Sequence, residues 1–452
     1  MTGFHKTDER TLQSRRLPAA LLSIALIVGL AMLLASCGQA TRLPVTYNIT
    51  DWSDVQTALN DARNGDTIDL SALWSPSVQQ PTFKIPSGLS LTIIGHSKVN
   101  FLGVAFNCAG SNTLTIRNLE MTTTNNQNAA TLAFSGKNNT LILVGENELQ
   151  NSKASLLDGF GSAIGVARGA ELVIQGAGNL NIRVDNCGAG IGGGLHNDGG
   201  SMTIETDNSG GAGQLVVAAY NGGAGIGGGL GGAGGDITIN SGTLIIKTFN
   251  DAAGIGGGAG GAGGNLIMNG GNLTVQANQG NSIGLGGGLA GAAGTLTMTG
   301  GVLMVGGNSQ AINTSIAGLP NTYIWWASAG QSLDWNAAKN SVNQPFNPSA
   351  SDLLIRIEAA TVLGIAVTPA ALNLNSGSTQ AFTANVSTMG GASTDVSWSL
   401  AGNNSAQTVV DASGLLTVGA DETANSLTIT ATSQADPGIS GSVTVTVHPA
   451  GS

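Results

Sequence analysis

Charge is scarce in this chain. Of 452 residues, 16 are Lys or Arg and 26 are Asp or Glu, which leaves a formal charge of −10. An acidic, charge-poor chain with no basic cluster cannot neutralise a row of phosphates, which argues against nucleic acid as a partner. Histidine is as sparse, and His96, His196 and His448 lie far apart without ligand spacing, so no metal site is expected. Cysteine occurs three times, at Cys37, Cys108 and Cys187. The last two are separated by 79 residues. In a stacked repeat that is roughly three layers, on the order of 14 Å. A disulfide spans no more than about 7 Å between Cα atoms, so two buried free thiols are expected. Long apolar runs are missing after residue 36, and helical spacing is missing from the whole middle of the chain.

Glycine, by contrast, occurs 70 times, and much of it falls in one recurring phrase. The copies are Ala189–Gly194, Ala224–Gly229, Ala253–Gly258 and Gly284–Gly288. From Ile191 to Ile226 is 35 residues, from Ile226 to Ile255 is 29, and from Ile255 to Leu285 is 30. A period of that size indicates stacked units, none of which can bury its apolar face alone. Between the phrases lie short alternating runs such as Ile237-Thr238-Ile239 and Leu244-Ile245-Ile246, bounded by Ser-Gly, Gly-Gly or Asn-Gly. Period-two alternation between turn residues predicts strands, and equivalent strands should stack in parallel with inward ladders of Ile, Leu, Val and Met. The fold class is therefore all-β: a parallel β-helix, taken as right-handed, running roughly from residue 65 to 318. A six-residue insertion around Asn208 to Gly213 accounts for the longer first spacing. The glycine phrase suits a corner or thin-walled face where a Cβ does not fit.

Before the repeats, Asp51 to Ala62 places apolar residues at 52, 55, 58, 59 and 62 behind a capping residue, which predicts an amphipathic helix of about three turns. With the strand that follows it resembles the N-terminal cap of bacterial parallel β-helix proteins, among them polysaccharide lyases and adhesins. Such a cap covers the open end of the apolar core.

The first residues carry Lys6, Arg10, Arg15 and Arg16, then an apolar stretch from Leu17 to Leu34 ending in Leu34-Ala35-Ser36-Cys37. This is the pattern of a removed signal peptide. The junction resembles the bacterial lipobox, which implies acylation of Cys37, export, and anchoring to the cell envelope through the lipid at the outer membrane or cell surface. Removing residues 1–36 takes away four Lys/Arg and two Asp/Glu and brings the formal charge to −12.

From Leu363 onward six alternating runs appear, including Val396-Ser397-Trp398-Ser399-Leu400 and Val443 to Val447, at the spacing of a β-sandwich. Val367-Thr368-Pro369, Ser376 to Gln380, Asp411 to Val418 and the closing Val/Thr strand together resemble the group 2 bacterial immunoglobulin-like domain. That resemblance makes Trp398 the core tryptophan. The expected organisation is a signal peptide at 1–36, a linker at 37–48, the β-helix with its cap at 49–318, a C-terminal cap and linker at 319–362, and the immunoglobulin-like domain at 363–448.

Function is less legible. Gly188 to Gly193 satisfies a dinucleotide fingerprint but recurs within a repeat and opens no helix. Gly231 to Asp236 is like a calcium-binding nonapeptide, yet nine-residue periodicity is missing and the next copy has Asn265 in place of the Asp. No cofactor is expected. Polysaccharide cleavage requires clustered carboxylates, and the regular coils from 189 to 305 offer only Glu205, Asp207, Asp236, Lys247, Asp251, His196 and Asp198. Arg168, Glu171, Arg183 and Asp185 are the one local mixture worth testing. No catalytic residue is assigned. Trp325, Trp326 and Trp335 are candidate ligand-binding residues because aromatic faces stack on sugars, with packing in the cap as the alternative. The reading is a non-enzymatic, lipid-anchored envelope protein that binds polysaccharide or a cell-surface ligand. A polysaccharide lyase or glycosidase, and a purely structural envelope component, are its rivals.

Overall fold

The structure is a computed structural model that describes residues 42–73, 82–95, 101–102, 105–124, 129–152, 161–207, 213–318, 322–328, 352–359, 361–389 and 392–448. Cys37 and the signal sequence, His96 and Trp335 lie outside them.

The repeats wind into a parallel β-helix with three faces. One coil consists of Ile226–Gly227 on face three, Asp236–Ser241 on face one and Thr243–Thr248 on face two. Each strand pairs in parallel with its equivalent one coil away. The inward positions therefore form columns. On face three the column is Phe83, Phe106, Leu132, Ile164, Ile191, Ile226, Ile255, Leu285 and Ile312. On face two Met121, Leu149, Ile182, Val217, Ile246, Val275 and Val305 do the same. These side chains belong to one buried cluster. Ile237, Ile239, Leu244 and Ile246 face inward as the alternation predicts, with Thr238 half-exposed between them. Thr206 Oγ1 donates to Gly213 O at 2.7 Å across the insertion; the strand after it keeps its register with the next coil, whereas the strand before it shifts register between Ile204 and Glu205.

The β-helix begins earlier than the repeats suggest. Thr46–Asn48 already pairs with Thr67–Asp69, and the helix is inserted between these two strands. That helix is also shorter than expected, one 3₁₀ turn (Trp52–Asp54) followed by Val55–Asp61. Asp51 Oδ1 accepts from Ser53 N at 2.8 Å, and Val55, Ala58 and Leu59 are buried in the cluster shared with the coils. The first strand of face three, Thr82–Ile85, would present a bare edge. Gln56 covers it by accepting from Lys84 N at 2.8 Å and donating to Lys84 O at 2.9 Å, as a neighbouring strand would.

At the far end face two changes direction. Val302–Gly306 pairs antiparallel with Asp352–Ala359, which pairs antiparallel with Thr322–Ser328. Ile355 and Ile357 from this return strand are buried against the last coil.

The C-terminal residues form the mostly antiparallel sheets of a β-sandwich around Phe382, Leu416, Leu427, Ile429, Ala431 and Val445, with Ala371–Asn375 paired in parallel to Ser440–His448. Short strands at Thr379–Ala381, Val409–Val410 and Leu415–Thr417 add to the predicted ones. Trp398 packs against this core but is only half-buried, so it borders the core rather than filling its centre.

Candidate functional site

Glycines of the repeats shape an open cleft at the corner between face three and face one. A Cβ at Gly227 (φ +137°) would fall 2.0 Å from Gly256 O in the next coil, so coil stacking itself forbids a side chain there. The same holds further along the corner from face three to face one, where a Cβ at Gly235 would fall 1.9 Å from Gly200 O. Where Gly199, Gly200, Gly234 and Gly235 line this corner, with the small side chain of Ala233 among them, a trough is floored mostly by backbone. Its walls are Arg168 and Asp198 on one side and Ser201 and Asp236, the outward start of face one, on the other. The resulting cleft is open and measures about 360 Å³.

Its polar groups are partly fixed. Asp198 Oδ1 accepts from Ala233 N at 2.9 Å, and Asp198 Oδ2 lies 3.4 Å from Arg168 Nη1. Asp236 Oδ1 accepts from Asn265 Nδ2 at 2.7 Å. A backbone floor with acceptors and donors on both walls lets a polyhydroxylated ligand approach closely and be oriented by a few groups.

The mixture Arg168, Glu171, Arg183 and Asp185 does not converge. Arg168 pairs with Asp198, Glu171 with Lys137 at 2.9 Å, and Arg183 with Asp185 at 2.9 Å on face two. Another carboxylate pair was missed in the sequence: Glu120 and Glu148 are in register on adjacent strands of face two. Burial, and then the charge of Glu148, pushes the Glu120 carboxyl up. It lies on face two, whereas the trough lies at the corner between faces three and one, and it has no described basic partner in that register. The dinucleotide-like phrase forms the strand Ile191–Gly192 and no helix, and among the described residues no group of three or more His, Cys, Asp or Glu could hold a metal.

Trp325 and Trp326 occupy consecutive positions of the strand Thr322–Ser328, in register with Arg356 and Ile355. Neither Cys108 nor Cys187 is in a disulfide, and only Cys108 is buried, which pushes its thiol up to about 12. Cys187 is half-buried instead, because it sits at a corner.

No protein-family model and no curated protein matches this sequence.

Proposed function

We propose that the protein is a lipid-anchored envelope protein that binds polysaccharide without cleaving it, with the glycine-floored trough as its contact site. The observation that supports this is the trough's construction: stacking forbids side chains at Gly199, Gly200, Gly234 and Gly235 on its floor while Arg168, Asp198, Ser201 and Asp236 supply polar walls. The lipobox-like junction at Cys37 gives the anchor and the exported location, and the resemblance of the C-terminal sandwich to group 2 bacterial immunoglobulin-like domains fits a spacer or second contact module of a surface protein.

Glycan-array binding of the mature chain, run beside a reducing-sugar release assay, tests the reading. Binding that Asp198→Ala weakens, with no sugar released, is the expected result. Release of sugar that Asp198→Ala or Asp236→Ala abolishes in a folded protein would establish the enzymatic rival, and silence across the array would favour a structural role. Cys37→Ala should remove metabolic fatty-acid labelling; labelling that persists in this variant would sink the anchor.

A further inference from the structure

The trough opens, through Ser201 and Asp236, onto the outer surface of face one. Three outward columns run there in parallel. The first is Asp236, Asn265 and Thr295, joined by hydrogen bonds of 2.7 Å (Asn265 Nδ2 to Asp236 Oδ1) and 2.6 Å (Thr295 Oγ1 to Asn265 Oδ1). The third is Glu205, Asn240, Asn269 and Thr299, in which Asn269 Nδ2 donates to Asn240 Oδ1 at 3.0 Å and Thr299 Oγ1 to Asn269 Oδ1 at 2.8 Å. Between these rails lies a column of β-branched residues, Thr203, Thr238, Ile267 and Thr297, in strand register. Ile267 is 40% exposed and the threonines are half-exposed.

The strip thus presents methyl-bearing, β-branched side chains along its midline, three threonines and one isoleucine, between amide and hydroxyl margins, and it carries no charge from Asn265 to Thr299. Each rail amide uses one donor and one acceptor within its ladder and keeps further capacity on both atoms. A pyranose ring has the matching anatomy, with C–H faces and a rim of equatorial hydroxyls. Coils repeat every ~4.8 Å, close to the advance per sugar of a fully extended pyranose chain. A coiled, α-linked chain does not keep that period over several coils. An anionic chain gains nothing from rails of amides and hydroxyls, and Glu205 and Asp236 would repel it at one end, while a cationic chain would find no carboxylate from Asn265 to Thr299.

We infer that face one from Thr203 to Thr299 docks a flat, uncharged, β-1,4-linked polysaccharide laid parallel to the solenoid axis, about one sugar per coil, with its end in the trough. This rests on the polysaccharide-binding reading and adds the linkage class and direction of the ligand.

The test is calorimetric titration of the mature full-length chain with cellobiose, cellohexaose and an amylose oligomer of equal length. Cellohexaose should bind at least about tenfold more tightly than cellobiose, equivalent to about 1.4 kcal/mol, and amylose should bind no better than cellobiose. Thr238→Arg, which plants a charged arm on the midline, should weaken cellohexaose by about tenfold or more. Ile267→Arg, at a position already open to solvent, provides a second block if the first variant folds poorly. Lys247→Ala, on face two, should bind as the parent does. Equal affinity for cellobiose and cellohexaose, or cellohexaose binding that survives both midline arginines in folded protein, would overturn the inference while leaving a trough-only site in place. Failure to bind any glycan would remove this inference and the reading beneath it together.

Discussion

The ring of Phe249 lies flat against that of Tyr220, with centroids 4.4 Å apart and planes 4° from parallel. The cause is the coil ladder, since Tyr220 N donates to Val184 O and Phe249 N to Ala219 O at successive levels of one corner. Arg183 completes the stack, its guanidinium carbon 4.9 Å from the Tyr220 centroid. Both faces of Tyr220 are therefore occupied within the protein, and the stack is a brace rather than a platform for sugar. Phe249→Ala should lower stability in urea unfolding by about 1 to 2 kcal/mol and leave glycan affinity unchanged. A loss of affinity with stability intact would relocate the binding surface to this corner.

The strand phase makes a second contrast. Ile239 is fully buried, whereas Thr238, its neighbour, is half-exposed. Ile239→Asp should cost several kcal/mol, roughly 3 or more, because a carboxylate would enter a dry ladder without a partner. Thr238→Asp should stay within about 1 kcal/mol of the parent. Equal melting temperatures for the two would show that the phase is wrong.

Glycine substitutions separate crowding from backbone preference. Gly227 (φ +137°) would put a Cβ 2.0 Å from Gly256 O, while Gly260 (φ +81°) has nothing within 4 Å of the same atom. Gly260→Ala pays only the left-handed penalty of about 1 to 2 kcal/mol. Gly227→Ala must also push two coils apart, and its midpoint of denaturation should fall well below that of Gly260→Ala. If the two fall together, stacking is looser than the backbone geometry indicates.

Acid should loosen the sandwich at a defined point. Glu422 is buried; although burial alone would raise its pKa, the Thr408 hydroxyl and the backbone N–H groups of Ala424, Asn404 and Ser405 hold it down at about 2, against an ordinary 4.5. A group ionised more readily in the folded state contributes stability in full above its unfolded pKa. That contribution should fade as pH drops from 4.5 toward 2, and Glu422→Gln should flatten the dependence in that window. Parallel pH–stability curves for parent and variant would remove Glu422 as the cause.

The columns of the β-helix were legible because burial imposes period two on every strand, so Ile237, Ile239, Leu244 and Ile246 declare their direction. The Ile191, Ile226, Ile255 and Leu285 register was equally open, since one glycine phrase marks one level of every coil. Thr46–Asn48 escaped notice because three residues before a helix carry too little periodicity to stand out. The trough escaped for a different reason: it is made by what glycine leaves out, and only stacking turns separate glycines into a floor. Glu120 and Glu148 lie 28 residues apart, and nothing but register brings them side by side.

That register also bears on ancestry. Ile226 and Ile255 differ by 29 residues and Ile255 and Leu285 by 30, and each such block begins and ends at the same level of the same face. Unequal recombination between gene segments encoding neighbouring glycine phrases would delete or duplicate one whole coil and rejoin every column in register. Length is thus a quantity that inheritance can adjust in steps of ~4.8 Å without redesigning either end. Populations carrying this gene should differ in coil number more readily than in the cap where Gln56 meets Lys84, because a change there has no equivalent coil to replace it.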